Sequence, residues 1–189
     1  MRTPAPVERC ELCGAELPPE HQHVLDPARR RLACACDACA LLFVSAPEGR
    51  FRALPRRSRF LKDFCCSDAL WDSLGVPIHL AFFRRTSPDN CIVAVYPSPA
   101  GPIESQPSPW SWAALAEANP TLGPLEADVE ALLAHRVGAA DEWFVTPIDE
   151  CYRLIGLIRE SWQGLGGGPQ VGSRVQAFFA RLKQQAIQT

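Results

Sequence analysis

Apolar and polar residues alternate in several short stretches of the chain and recur at helical spacing in others. Two β-rich runs at 78–83 and 91–96 flank a Pro-Asp-Asn turn, which predicts an antiparallel hairpin. Apolar residues recur every three or four positions near the carboxyl end, at Ile148, Cys151, Ile155, Ile158 and Trp162. This spacing predicts an amphipathic helix with Cys151 in its buried stripe, and residues 173–185 predict another.

Local signals place further elements between these segments. Ser67, Ser108 and Thr146 each stand where a side chain can cap a helix, and Pro109 and Pro147 fit the first turn. Residues 142–145 predict a strand, and residues 97–109 predict an ordered loop. Residues 128–136 are ambiguous, although their apolar positions suit a helix face. The mixture predicts an α+β fold, with an antiparallel sheet packed against several helices.

Length and composition limit the organisation of the chain. The 189 residues suffice for one good core with a small appended module. We predict a metal-binding module at 1–45 and an α+β body at 46–189. The sequence has no apolar run of membrane-spanning length and no apolar secretory segment at its start, so we expect a cytoplasmic protein without membrane contact. In that reducing compartment its nine cysteines are thiols or metal ligands.

The strongest chemical signal is a set of two Cys-x-x-Cys pairs, made by Cys10, Cys13, Cys36 and Cys39. Each such turn points two thiolates at one point, and a hairpin between them assembles four sulfurs for Zn²⁺ or a rubredoxin-type iron. Gly14 fits the tight turn after the first pair, whereas Ala40 follows the second. We predict a zinc ribbon of two knuckles with these four ligands and Zn²⁺ as the cofactor, with iron as the alternative.

Three further residues between the pairs could also bind a metal. Cys34 lies two residues before Cys36, and His21 and His23 lie on the intervening arm. The chosen set keeps the two-residue spacer usual in metal turns, which leaves Cys34 as a small buried apolar residue. A site in which Cys34 or one of the histidines replaces a cysteine of the set is the competing hypothesis.

Two features suggest a partner surface. The first is a basic segment made by Arg50, Arg52, Arg56, Arg57 and Arg59, which fits either an anionic partner or a solvated edge. A net charge of −2 does not suit a nucleic-acid binder, so we expect these arginines to contact protein or solvent. The second is Trp110, which follows a proline-stiffened segment and is of the residue type that anchors interfaces. The alternative is that Trp112 lies on the core face and the segment only covers the sheet.

Several sequence segments together carry a resemblance. Cys-Glu-Leu-Cys-Gly, Leu-Ala-Cys-Ala-Cys-Asp-Ala-Cys-Ala-Leu-Leu-Phe, Ala-Val-Tyr-Pro-Ser-Pro-Ala-Gly and Pro-Ile-Asp-Glu-Cys-Tyr resemble an uncharacterised bacterial family. Its members are often encoded among nickel–iron hydrogenase genes, and the resemblance covers nearly the whole chain. It implies a role beside hydrogenase components, while the family has no established activity.

Three function classes follow from these features. The favoured one is a non-enzymatic accessory protein with a structural zinc site and a protein partner, in hydrogenase assembly. The alternatives are a rubredoxin-like electron carrier and a nucleic-acid-binding regulator. We expect no enzyme, because the sequence has no catalytic triad order, zinc-protease helix or phosphate loop. The adjacent Cys65 and Cys66 could close only a strained ring, so we expect free thiols there.

Overall fold

The chain forms two compact units in a computed structural model that describes residues 7–44, 50–98, 100–162 and 169–189. The first unit is Met1–Leu54 and the second is Pro55–Thr189. A short strand at Arg52–Ala53 pairs within the first unit. The division between the units therefore follows Leu54.

The first unit is built on the predicted hairpin, which the structure confirms. Strands β1 (Gln22–Asp26) and β2 (Arg31–Ala35) are antiparallel, and β3 (Arg52–Ala53) pairs with the other edge of β1. Helix α1 (Asp37–Val44) follows β2 after one residue. One face of the hairpin forms a small core in which the buried residues are Val24, Ala33, Ala35, Ala40 and Phe51.

The second unit is organised around a seven-stranded sheet. Its strands are β4 (Arg59–Phe60), β5 (Leu80–Arg85), β6 (Ile92–Ser98), β7 (Gly101–Ser105), β8 (Glu130–His135), β9 (Glu142–Pro147) and β10 (Ile187–Gln188). Their order across the sheet is β10-β4-β9-β8-β5-β6-β7. All neighbours are antiparallel except β10 and β4, which are parallel. The predicted α+β class and the β5–β6 hairpin are confirmed.

The sheet resolves one ambiguous segment and shows that one prediction was wrong. Residues 130–135, which the sequence left ambiguous, form the central strand β8, which is buried on both faces and lacks the alternation that distinguishes a half-exposed strand. Most of the predicted loop at 97–109 is also strand, since β6 extends to Ser98 and β7 pairs with it at the sheet edge. Pro102 lies in the edge strand β7, where prolines are tolerated, and Pro97, opposite it, lies beyond the part of β6 that pairs with β5.

Helix starts followed the predicted caps in two cases and departed in one. Helix α2 (Asp68–Ser73) is capped by Ser67, and α3 (Pro109–Ala118) is capped by Ser108; each serine accepts a backbone N–H bond. Helix α4 (Ile148–Ser161) begins without a side-chain cap, with Pro147 at the cap position. Thr146 is instead buried at the end of β9, where its hydroxyl is 2.7 Å from the Ser58 hydroxyl.

Helices cover both faces of the sheet. Phe83, Leu132 and Val145 form one cross-strand row, and they share a core with residues of α2 and α3. The opposite row contacts α4 and α5 (Pro169–Gln185): Phe82 packs edge-on against Tyr152, and Phe144 packs on Phe179. The predicted stripe of α4 is buried at Ile148, Cys151, Ile155 and Ile158, whereas Trp162 follows the helix and is half-buried. The buried residues of α5 are Val175, Phe178, Phe179 and Leu182. Among the helices of the described residues, none combines the length and the apolar character needed to cross a membrane.

Candidate metal centre

Cys10, Cys13, Cys36 and Cys39 come together in the first unit. Their four sulfurs lie within 4.8 Å of one another, and the Sγ atoms of Cys13 and Cys36 are 3.7 Å apart. Zn–S bonds of about 2.3 Å in a tetrahedron place neighbouring sulfurs about 3.8 Å apart. The spacing of the sulfurs therefore fits a tetrahedral thiolate site.

The first cysteine pair lies in a tight turn of the predicted kind. The Gly14 amide donates to the Cys10 carbonyl at 2.8 Å, and the Cys10 amide donates to the Ala15 carbonyl at 2.8 Å. Gly14 has a φ of 78°, which a residue with a Cβ rarely adopts. This geometry accounts for the glycine that follows the first pair.

The second pair does not form the predicted second knuckle. Cys36 immediately precedes α1 and Cys39 lies in its first turn, where the Ala40 amide donates to the Cys36 carbonyl at 2.9 Å. Helix backbone needs no glycine after the pair, which explains Ala40. The module is thus a turn, a hairpin and a helix, and the predicted ribbon of two knuckles is not what the structure shows.

The thiols of this cluster differ in their surroundings. Although burial opposes ionisation of Cys10, hydrogen bonds from the backbone amides of Cys36, Leu12 and Cys13 lower its pKa to about 6. Burial and hydrogen bonds to the neighbouring cysteines raise the pKa of Cys39 to about 12. The surroundings therefore favour a thiolate at Cys10 and a protonated thiol at Cys39.

The negative charge of a Cys10 thiolate adds to the burial and hydrogen bonds that raise the pKa of Cys39, since a thiolate disfavours a second negative charge beside it. A divalent cation at the centre of the four sulfurs would remove that repulsion and favour four thiolates. The electrostatics of the cluster therefore suit a metal ion.

Glu11, which sequence reasoning missed, ties the first turn to the hairpin. Its amide donates to the Cys34 carbonyl at 2.9 Å, and its carboxylate accepts from the Cys34 amide at 3.0 Å. The same carboxylate forms an ion pair with Arg31 of β2. Glu11 stands between the cysteines of the first pair, but no local pattern indicates that it pairs with residues about twenty positions away.

The alternative ligands form a second group. One ring nitrogen each of His21 and His23 and the sulfur of Cys34 lie within 4.8 Å of one another. Cys34 lies directly opposite His23 in the β1–β2 register. Burial raises the pKa of the Cys34 thiol, and the nearby carboxylates of Glu11 and Glu8 raise it further. The four-cysteine cluster forms without any member of this second group.

The structure distributes the basic segment over both units. Arg50 pairs with the buried Asp26 carboxylate at 3.3 Å, and Arg52 lies in β3. In the second unit, Arg59 donates to the carbonyls of Thr121 and Leu122, both at 3.1 Å. The remaining two arginines, at positions 56 and 57, are exposed. Arg50 and Arg59 thus have structural partners inside their own units.

The two tryptophans of α3 have different environments. Trp110, near the start of the helix, is 83% exposed. Trp112 is partly buried and packs against the core, with its ring 5.8 Å from that of Phe83. The structure therefore places Trp112 on the core face and leaves Trp110 on the surface.

The adjacent thiols of the second unit are both free. Cys65 is exposed, whereas burial raises the pKa of Cys66 to about 11. Asn119 holds the backbone of Cys65 from both sides, accepting from its amide at 2.6 Å and donating to its carbonyl at 2.8 Å. The surroundings of this pair account for a fixed backbone at Cys65 and a protonated thiol at Cys66.

These features define a two-unit α+β protein with a cysteine cluster compatible with metal binding. The chain belongs to the family of unknown function DUF5947, whose family model matches residues 9–186. No curated protein and no solved structure matches the chain. The match covers both units and includes the four cysteines.

Proposed function

We propose that this protein is a non-enzymatic metal-binding accessory protein that works in the cytoplasm. In this proposal Cys10, Cys13, Cys36 and Cys39 hold one structural Zn²⁺, and the second unit docks a partner protein. The observation that carries it is the approach of four sulfurs to the spacing of a tetrahedral site. On the sequence resemblance, we propose nickel–iron hydrogenase assembly as the setting and hydrogenase components as the partners.

A structural role for the metal is supported by the closure of the site. Four thiolates would fill a tetrahedral shell and leave no position for a substrate or a reactive water. The cysteines come from the first turn and from the start of α1, and β1 and β2 lie between these two segments in the chain. One ion would therefore join the turn, the hairpin and the helix.

A docking role for the second unit is supported by the exposure of Trp110 on a well-anchored helix. Ser108 caps α3, and the Ser111 hydroxyl donates to the Ser73 carbonyl of α2 at 2.9 Å. Leu115, on the core side of the same helix, is completely buried. A large aromatic side chain on a rigid element loses little conformational entropy on binding, which suits an interface anchor.

Metal analysis of protein purified without added metal tests the first part of the proposal. We expect at least one zinc per chain, no visible colour, and a zinc content lower by one ion per chain in Cys13→Ala. Cys65→Ala is the matched control, because it also removes an exposed cysteine but lies outside the cluster. Stoichiometric iron with a thiolate charge-transfer spectrum would replace this proposal with the electron carrier.

Affinity purification from the native cell tests the docking role. We expect hydrogenase components to be recovered with the wild-type chain and lost with Trp110→Ala, while Val137→Ala, which truncates another exposed apolar side chain, retains them. Recovery that is unchanged by Trp110→Ala would contradict the assigned surface. Tight, salt-sensitive binding of duplex or single-stranded DNA that requires Arg56 and Arg57 would instead favour the nucleic-acid regulator.

A further inference from the structure

His21, His23 and Cys34 lie close to one another as a group of their own. This arrangement is not explained if they serve only as replacement ligands for the four-cysteine site. We propose that these three residues form a second metal site, separate from the four cysteines, that binds a divalent ion of the Zn²⁺ class and leaves one coordination position open. This inference goes beyond the proposed function, for which one structural ion is enough.

Strand geometry brings the three side chains together. Successive side chains of a strand point to opposite faces, so the core residue Val24 and its neighbour His23 face opposite ways. Cys34, directly opposite His23, shares the face of His23, while the flanking Ala33 and Ala35 join Val24 in the core. His23 and Cys34 therefore occupy the face of the hairpin that does not form this core, and His21, which precedes β1, lies beside them.

His21 is held with one nitrogen available for an ion. Its Nδ1 lies 3.0 Å from the Pro18 carbonyl and 3.5 Å from a Glu8 carboxylate oxygen, and both of these groups only accept hydrogen bonds. In the neutral ring the proton therefore lies on Nδ1 and the lone pair on Nε2. A histidine fixed through one nitrogen by a carbonyl or a carboxylate is the usual arrangement of a metal ligand.

Burial makes the second nitrogen of His21 informative. The side chain is only 5% exposed, and Nε2 has no hydrogen-bond partner among the described residues. A buried polar atom without a partner is unfavourable, and native structures satisfy nearly all of them. A metal ion bound with His23 and Cys34 would satisfy it.

The donor set indicates the kind of ion and its coordination. Two imidazoles and one thiolate suit zinc and its neighbours in the transition series better than calcium or magnesium, which prefer oxygen. Three protein ligands leave a fourth tetrahedral position for water or an external ligand. The carboxylates of Glu8 and Glu11 beside Cys34 add negative charge that favours a cation. We therefore expect an ion that exchanges more readily than one held by four thiolates.

Cobalt titration of the full-length, metal-free protein under reducing conditions tests the second site. We expect two Co²⁺ ions per chain in native mass spectrometry: one with tetrathiolate charge-transfer bands, and one with weaker sulfur absorption and shifted imidazole resonances of His21 and His23. His23→Ala and Cys34→Ser should each remove the second ion at a concentration that saturates the wild-type protein.

The four-cysteine site provides an internal control, because its spectrum reports whether each variant still folds the hairpin. His79→Ala is the matched control, since it removes a histidine of the second unit and should leave both ions bound. Binding of one ion only, or a second ion that survives both His23→Ala and Cys34→Ser, would overturn the proposal. A single ion whose spectrum changes in His23→Ala would show one mixed site and would overturn it equally.

Discussion

Cys13→Ala isolates the contribution of the metal to the stability of the first unit. Cys13 is exposed, so truncating its side chain leaves no cavity, unlike truncation of the buried Cys10 or Cys39. Any large loss of stability in this variant must therefore come from weaker metal binding. We expect the first unit to lose its structure when zinc is limiting, while the second unit stays folded.

The expected effect is large compared with the apolar core of the first unit. A structural zinc site supplies about 10–16 kcal/mol, so one of four ligands accounts for roughly 2.5–4 kcal/mol and a change in affinity on the order of 10²–10³-fold. The large apolar side chains buried in this unit are Leu17, Val24, Leu25, Phe51 and Leu54. At about 1.5–3 kcal/mol each they supply roughly 8–15 kcal/mol, which is about what the ion supplies. Loss of the ion thus removes about half of the free energy that favours folding of the first unit.

The two units can be followed separately in one sample. All five tryptophans lie in the second unit, so tryptophan fluorescence during denaturation reports that unit alone. Hydrogen exchange at the amides of β1 and β2 reports the first unit. In Cys13→Ala we expect lost protection in β1 and β2 and an unchanged fluorescence transition, with Cys65→Ala unchanged in both measurements. Full amide protection in Cys13→Ala without metal would refute a structural role for the ion.

Three further predictions concern the second unit, and each can be checked by denaturation followed through tryptophan fluorescence. Burial tends to raise the pKa of Glu142, but hydrogen bonds from Lys183 and His135 hold it below its ordinary value of 4.5. The ionised form of Glu142 is therefore favoured in the folded state. Glu142→Gln should therefore cost about 1 kcal/mol above pH 4.5, and the difference from wild type should vanish as the pH falls below the folded-state pKa; a difference independent of pH would contradict this. Ser67→Ala should lower the free energy of unfolding by about 1 kcal/mol because it removes the α2 cap, whereas Ser67→Thr should retain most of the stability that the cap supplies. Leu132→Ala, at a fully buried position of β8, should cost about 2–5 kcal/mol, and a loss below about 1 kcal/mol would argue against the central placement of that strand.

Local sequence signals predicted the elements whose causes are local. The serine caps of α2 and α3, the stripe of α4 and the turn after Cys10 each depend on residues a few positions apart. The identity of β8 depends on burial from both sides, which only the assembled sheet provides. Thr146 had the right residue type for a cap, but its bond to Ser58 depends on pairing across the sheet.

The candidate site also combines features that local sequence predicts with features that depend on the folded chain. The four cysteines followed from spacing alone, whereas the helical position of the second pair depended on the start of α1. The sequence indicates only part of the grouping of His21, His23 and Cys34: a spacing of two residues places the two histidines on one face of a strand. Recognising it required the register that sets His23 opposite Cys34. The partners of Glu11 and His21 depend on how the chain folds back, and no local signal marks them.

The parallel pairing of β10 with β4 has a consequence for the order of events during synthesis. It joins Ile187 to Arg59, and the Thr189 amide donates to the Phe60 carbonyl at 3.0 Å. The sheet edge at β4 therefore stays open on the ribosome until residues 187–189 have emerged, and such distant pairing forms slowly. The four cysteines have all emerged once residue 39 has left the exit tunnel. We expect the nascent chain to capture its ion early, while the β4 edge of the second unit is still unpaired.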